Sequence, residues 1–318
     1  MEATHEQIHE TAARLRQNIQ RVIVGKDDII DLALIAMLCE GHLLLEDVPG
    51  TGKTTLAKTI AASLGCTFSR VQFTPDLLPS DLTGIYYFNQ RAAEFEFRPG
   101  PVMAQIVLAD EINRATPRTQ SALLEAMQER QVTVDIATHA LPRPFMVMAT
   151  QNPIELEGTY PLPEAQLDRF LMKVALGYPD AAGESAMLLR FEREDPLDTL
   201  ASVVGPEEIL AMQADVRRVR VEESVRQYVV AVCRATRAHD DILLGASPRA
   251  TMALHRACQA RAAIAGRDFV IPDDVKTMAA PVLTHRLVVN PQTRLRGRMP
   301  EDVVREVVAT VPVPVESV

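Results

Sequence analysis

The chain has 318 residues, enough for two domains that each bury a core, and its 47% hydrophobic and 24% charged residues exclude a disordered or fibrous class. A formal net charge of −9 argues against a protein that grips nucleic acid over its whole surface, although a local basic patch fits inside that total. The four cysteines, Cys39, Cys66, Cys233 and Cys258, show no CxxC spacing, the usage of a reduced cytosol, and no basic-then-apolar leader or run of ~18 apolar residues is present, so a cytoplasmic protein with no export signal and no membrane span is expected.

The first element carries His5, Glu6 and His9 in HEQIH, which matches the zinc-protease pattern HExxH. The other histidines are isolated, and Ile8, Ala12, Leu15 and Ile19 recur at helical spacing. The expectation is therefore an amphipathic helix with a solvated histidine face.

From Gly41 to about Gly177, short apolar runs alternate with helical patterns, the signature of a mostly parallel sheet with crossover helices. HLLLED, FSRVQF, QIVLAD, FMVMAT and FLMKVAL read as strands. Thr54 to Leu64 and Pro117 to Arg130 read as helices, the second opened by Thr116 as N-cap and Pro117 at the first helical position. Residues 84–100 and 131–144 have period-2 character with turn residues and are expected to be β-hairpins. After Gly177-Tyr178-Pro179-Asp180 the strands are expected to stop. Helices are expected from Pro206 to Val216, Glu222 to His239, Pro248 to Ala265 and from Pro272, with VPVPVESV as a loose tail. The domain division follows: an α/β core with its N-terminal helix over residues 1–178 and a helical domain over 179–318.

Residues 46–60 read EDVPGTGKTTLAKTI, the strand–loop–helix context of a GxxxxGK[ST] P-loop, except that Asp47 occupies the place of the first glycine. Such a loop aims backbone N–H groups at phosphates. Pro49, Gly50, Thr51, Gly52 and Thr55 are its nucleotide-binding candidates, with Lys53 as the phosphate lysine and Thr54 as the Mg²⁺ ligand. QIVLADE then supplies a carboxylate pair at a strand end: Asp110 to hold Mg²⁺ through water and Glu111 to act as general base toward the attacking water. FMVMAT runs into Gln151-Asn152-Pro153, which makes Asn152 a candidate γ-phosphate sensor. Arg169 in EAQLDRF is positioned to project into a neighbouring subunit's site, since a guanidinium supplied in trans stabilises the charge of a transferring phosphoryl group. Arg249 follows Ser247 and Pro248 in the first turn of a helix, where a cation opposes the helix dipole at a cost of ~0.3–1 kcal/mol. A residue set against that local preference points to function.

Taken together, GHLLLEDVPGTGKT, VQFTPDLLPSDLTG, LADEINRATPRTQSALLEAMQERQVTV, FMVMATQNPIELEGTYPLPEAQLDRFL and LLGASPRATMAL resemble the MoxR family of AAA+ ATPases over about residues 20–290. The resemblance implies a five-stranded P-loop core with a helical lid, a helix-2 insert hairpin at residues 84–98 and a pre-sensor hairpin at 131–143. It also implies ATP/ADP and Mg²⁺ as cofactors, and a homo-oligomeric ring, commonly a hexamer, with each ATP between subunits. Asn152 takes the place of sensor 1, Arg169 of the arginine finger and Arg249 of sensor 2, while Val24 and Gly25 border the adenine. Chaperone-like remodelling of protein clients, often von Willebrand factor A domain proteins, is the implied activity.

Three other readings stand beside it. A DNA-tracking motor of the same architecture needs several cations at its hairpin tips. Residues 84–98 offer Arg91 and Arg98, and 131–142 offer none. A magnesium-chelatase-like subunit shares the mechanism and differs in client. A scaffold that binds ATP without turning it over is disfavoured by the presence of Glu111 and Arg169.

Overall fold

The computed structural model describes residues 5–135, 137–152, 158–192 and 194–314. Helices α1 (His5–Gln20) and α2 (Asp27–Leu38) precede β1 (Leu43–Glu46), which the loop 47–52 joins to α3 (Lys53–Ser63). Strand β2 (Phe68–Gln72) leads through the short α4 (Pro79–Thr83) to a hairpin, β3 (Gly84–Asn89) and β4 (Glu94–Pro99), and then to β5 (Ile106–Asp110). Helix α5 (Pro117–Glu129) ends in a second hairpin, β6 (Gln131–Val134) and β7 (Ala137–Ala140). The core closes with β8 (Met146–Gln151), α6 (Glu164–Leu167) and β9 (Met172–Val174). Next come α7 (Ala181–Arg190), α8 (Pro206–Val216), α9 (Glu223–Arg237), β10 (Ile242–Leu244) and α10 (Pro248–Ile264). Helix α11 (Pro272–Leu283), β11 (Val288–Val289), α12 (Pro291–Leu295) and α13 (Pro300–Thr310) complete the lid.

The five expected strands form one parallel sheet in the order β2-β5-β8-β1-β9. The inner strands β5, β8 and β1 are covered on both faces, which is why they read as continuous apolar runs, whereas the edge strand β2 alternates. Leu44, Val107, Val147 and Ala149 face α5 through Leu123, Leu124 and Met127. Leu43, Leu45, Leu108 and Met148 face a second core that holds α1, α2 and α3 together with the lid helices. Ile8, Ala12, Leu15 and Ile19, each at most 1% exposed, are the stripe by which α1 joins that core. The histidine face is not wholly left to solvent, because the His9 ring is hydrogen-bonded to the Ile264 carbonyl of α10 at 2.6 Å.

The lid is helical, with one addition to the expectation that strands stop after Asp180: β10 and β11 pair antiparallel. Strands of three and two residues are too short to leave a period-2 pattern. Beyond the four helices expected there, α7, the short α12 and α13 also form; α13 buries Val303, Val304 and Val307 and is started by Asp302, whose carboxylate accepts from the Met299 N–H at 3.0 Å. Thr116 has the backbone position of an N-cap, but its hydroxyl pairs with that of Thr119 at 3.3 Å instead of with a helix N–H.

Both hairpins form as expected, and they touch. On the face of the first that carries Tyr86, Phe88, Phe95 and Phe97, the ring of His139 from β7 stacks on Phe97, centroids 3.8 Å apart and 9° from parallel. Its Nε2 lies 3.2 Å from the Tyr86 hydroxyl. Farther out on the same face, Phe88 and Phe95 pack edge to face at 5.3 Å and stay exposed.

Candidate functional site

The register brings the chemistry to one edge of the sheet. Glu46 pairs with Gln151 and Gln72 with Asp110, so the loop after β1, the carboxylates after β5 and Asn152 after β8 all emerge at the C-terminal ends of adjacent strands. Gly50 and Gly52 take left-handed backbone at φ +85° and +91° and would meet nothing within 4 Å if they carried a Cβ. The loop is therefore an open run of backbone that leads into the N-terminus of α3, suited to a polyphosphate. Lys53 folds over it, donating to the Asp47 and Val48 carbonyls at 2.9 and 2.8 Å. The Thr51 hydroxyl donates to Val48 O at 3.3 Å; Pro49 is exposed, and Thr54 and Thr55 are half-buried in the first turn of α3.

Asp47, the apparent defect of the motif, is a buried anchor. Its carboxylate accepts from its neighbour Val48 N at 2.8 Å and from Gly177 N at 2.6 Å, tying the start of the loop to the chain leaving β9. One residue on, the Tyr178 carbonyl accepts from Lys26 Nζ at 3.0 Å. The Val24-Gly25 turn, with Gly25 at φ +64°, is thereby held on the same edge of the sheet as the loop.

Asp110 and Glu111 sit in a network that sequence reasoning did not find. Asp110 Oδ1 accepts from the Thr150 hydroxyl at 2.7 Å, and its Oδ2 from Arg70 at 2.7 Å. Glu111 adopts φ +57°, rare for a residue with a side chain, and its N–H donates to Thr150 Oγ1 at 2.8 Å. Its carboxylate accepts from Gln72 Nε2 at 2.6 Å and pairs with Arg114 Nε at 3.3 Å. The signal that was available is the alternation in FSRVQF: Arg70 and Gln72 share one face of β2, next to β5. Asn152 is buried at the end of β8 between β5 and β1; residues 153–157 lie outside the described residues. A lysine, a hydroxyl and a hard carboxylate around an open backbone loop fit a nucleotide phosphate tail and Mg²⁺.

Arg169 and Arg249 are not part of this edge. Leu171 N donates to His42 O at 2.8 Å, which sets Arg169 beside the start of β1, about six extended residues or roughly 20 Å from Asp47. Arg249 lies in the first turn of α10, where Ser247 caps Ala250 N at 3.1 Å and its hydroxyl reaches Asp168 at 3.2 Å. The two arginines line one cleft of about 360 Å³ at the N-terminal ends of the strands. Behind it, the buried Arg286 binds Asp168 at 2.6 Å and the Leu171 and Phe170 carbonyls. His42, also in its wall, is pushed down to about 3 by burial, with Arg130 nearby adding to the effect.

The sheet order, the P-loop and the helical lid define an ATPase-family protein of the AAA+ class. Residues 42–172 match the model of the "ATPase family associated with various cellular activities (AAA)" and residues 234–307 that of the "AAA lid domain". Chaperone MoxR1 of Mycobacterium tuberculosis is 42% identical over 313 residues, spanning 96% of this chain and 82% of that protein. Uncharacterized protein YeaC of Bacillus subtilis is 50% identical over 314 residues, spanning 99% and 98%. The crystal structure of "a putative ATPase" from Cytophaga hutchinsonii superposes with a TM-score of 0.91 at 38% identity over 96% of both chains. The chain belongs to the MoxR family of AAA+ ATPases.

Proposed function

We propose that this protein binds and hydrolyses ATP between neighbouring copies of itself in a ring, and applies the resulting motion to a client protein. The observation that carries the reading is the separation of two half-sites: the phosphate loop and carboxylates on one edge of the sheet, the Arg169–Arg249 cleft on the other. A site so divided is completed by a second copy docked head to tail, and closing that repeat gives a ring, a hexamer by family resemblance.

In this reading the backbone of Pro49 to Gly52, with Lys53 and Thr55, binds the phosphates, and Val24 and Gly25 border the adenine. Thr54 directly, and Asp110 through water, would hold Mg²⁺, which would supply neutralisation of the phosphate charge. Glu111 takes the proton of the attacking water as it adds to the γ-phosphorus while the bond to the β,γ-bridging oxygen breaks and ADP leaves, and Asn152 orients that water or the γ-phosphate. Arg169 and Arg249 both act on the neighbour's nucleotide, so the sensor 2 role falls in trans as well. The paired hairpins and the lid deliver the motion, with von Willebrand factor A domain proteins as the client class and the cytoplasm as the setting.

Lys53→Ala and Glu111→Gln are expected to abolish phosphate release from the assembled protein, and equal turnover in either variant refutes the assignment. Arg169→Ala is expected to abolish turnover with binding largely retained. A pull-down with the Glu111→Gln trap in ATP identifies the client. The DNA-motor alternative lacks its cations: the turn of the first hairpin between Asn89 and Glu94 carries Arg91 alone.

A further inference from the structure

Of the five arginines that line the cleft, Arg169 and Arg249 among them, one that no motif singles out is also unpaired among the described residues. Arg256 lies on the wall of the same cleft and is exposed. It follows Arg249 by seven residues on α10, two turns and about 10 Å along one helix face. Among the described residues, Arg169, Arg249 and Arg256 make no ion pair and no side-chain hydrogen bond, which sets them apart from every other charge around them.

The contrast with their neighbours is direct. Arg130 is committed to the Phe145 and Glu40 carbonyls, and Arg286 to Asp168 and the carbonyls behind it. The two carboxylates of the cleft are also taken, Glu40 by Arg143 and Arg217, Asp168 by Arg286 and Ser247. Three guanidinium groups thus share a concave surface whose negative charges are already neutralised. Mutual repulsion there is a standing cost that an anion relieves, and guanidinium is the side chain best shaped for phosphate oxygens. A spread of two helical turns suits an extended anion better than a single phosphate group.

We infer that Arg256 is a third arginine this face offers to the neighbouring subunit's nucleotide, contacting its phosphate tail alongside Arg169 and Arg249. The inference rests on the ring reading above, and it adds a binding residue that the family motifs do not mark.

The test mixes variants before assembly and measures steady-state phosphate release. Arg256→Ala alone is expected to lower kcat/KM by about 10- to 100-fold, the factor that loss of a charge-assisted hydrogen bond corresponds to. Its melting temperature should match the unmodified chain, because the side chain holds nothing else in place, and Arg256→Lys should recover part of the loss. Mixed with Lys53→Ala, the Arg256→Ala protein is expected to regain activity: Lys53→Ala copies supply intact arginines to copies whose phosphate loop is intact. Mixed with Arg169→Ala, whose defect lies on the same face, it is expected not to regain it. Recovery in that second mixture, or a wild-type rate for Arg256→Ala alone, overturns the inference. Recovery of Arg169→Ala with Lys53→Ala but not of Arg256→Ala with Lys53→Ala overturns it while leaving the ring intact. Recovery in neither overturns both.

Discussion

Replacing Asp47 with alanine separates stability from nucleotide binding. The carboxylate accepts two backbone N–H groups, Val48 at 2.8 Å and Gly177 at 2.6 Å, from a position only 8% exposed. A hydrogen bond to a charged acceptor contributes roughly 1.5–3 kcal/mol, and water can reach part of the vacated volume. The net loss of folding stability should therefore be about 2–4 kcal/mol. Neither bonded group is among the loop amides from Gly50 to Lys53 assigned to phosphate in the proposed site, so affinity for ADP should fall by less than about tenfold, or roughly 1.4 kcal/mol. Urea unfolding with a tryptophan-free readout such as far-UV circular dichroism measures the first quantity, and titration with a fluorescent ADP analogue the second. Asp47→Asn, which keeps one acceptor oxygen, should lose about half as much stability. Unchanged unfolding together with a hundredfold loss of affinity refutes the anchor and makes Asp47 part of the nucleotide site.

Three further outcomes follow from the same geometry. Gln72→Ala frees the Glu111 carboxylate from its 2.6 Å bond, and basal kcat is expected to rise about threefold to tenfold at unchanged KM, or roughly 1 kcal/mol; a fall in kcat means that Gln72 orients the acid instead of restraining it. Acid should destabilise the fold through His42, whose folded pKa of about 3 lies below the unfolded 6.5, and through His285, also held well below its ordinary value by burial. The unfolded chain binds more protons below pH 6.5, so this stability is complete above that pH and is lost as pH falls, at about 2 kcal/mol for His42 between pH 6.5 and 5, with His285 acting in the same direction; a flat urea-unfolding profile over that range refutes it. His139→Ala is expected to speed amide exchange in β6 and β7 while leaving ATP binding intact, and unchanged exchange means that the hairpins do not depend on each other.

What the sequence disclosed and what it withheld divide by distance along the chain. Lys53 and Thr54 were placed because strand, loop and helix fall within some twenty residues, and Asp110 and Glu111 because they end an apolar run. Thr150 and Gln72 reach the same acids from about forty residues away on either side, through the strand order β2-β5-β8, which no local pattern encodes. Asp47 was visible only as a departure from the motif, since its partner Gly177 lies 130 residues on. Arg249 stood out by opposing a helix dipole, whereas Arg256 sits mid-helix where an arginine breaks no local rule. That the arginine cleft and the phosphate loop occupy opposite edges of the sheet is a fact of register alone.

The ring of His139 gives the two hairpins the character of a slip joint. Its stack on Phe97 is worth about 0.5–1.5 kcal/mol and its bond to Tyr86 a similar amount, added to the packing of Tyr86 and Phe97 on the core that holds Val132 and Val134. Helix α5 runs from just past Glu111 to the foot of β6, a rod about 20 Å long between the carboxylate and this joint. In the proposed cycle, a push along that rod would carry both hairpins together. In the remodelling proposed above, the exposed Phe88 and Phe95 of the outer hairpin would meet the client, and the His139 contacts would be among those that yield before the sheet does.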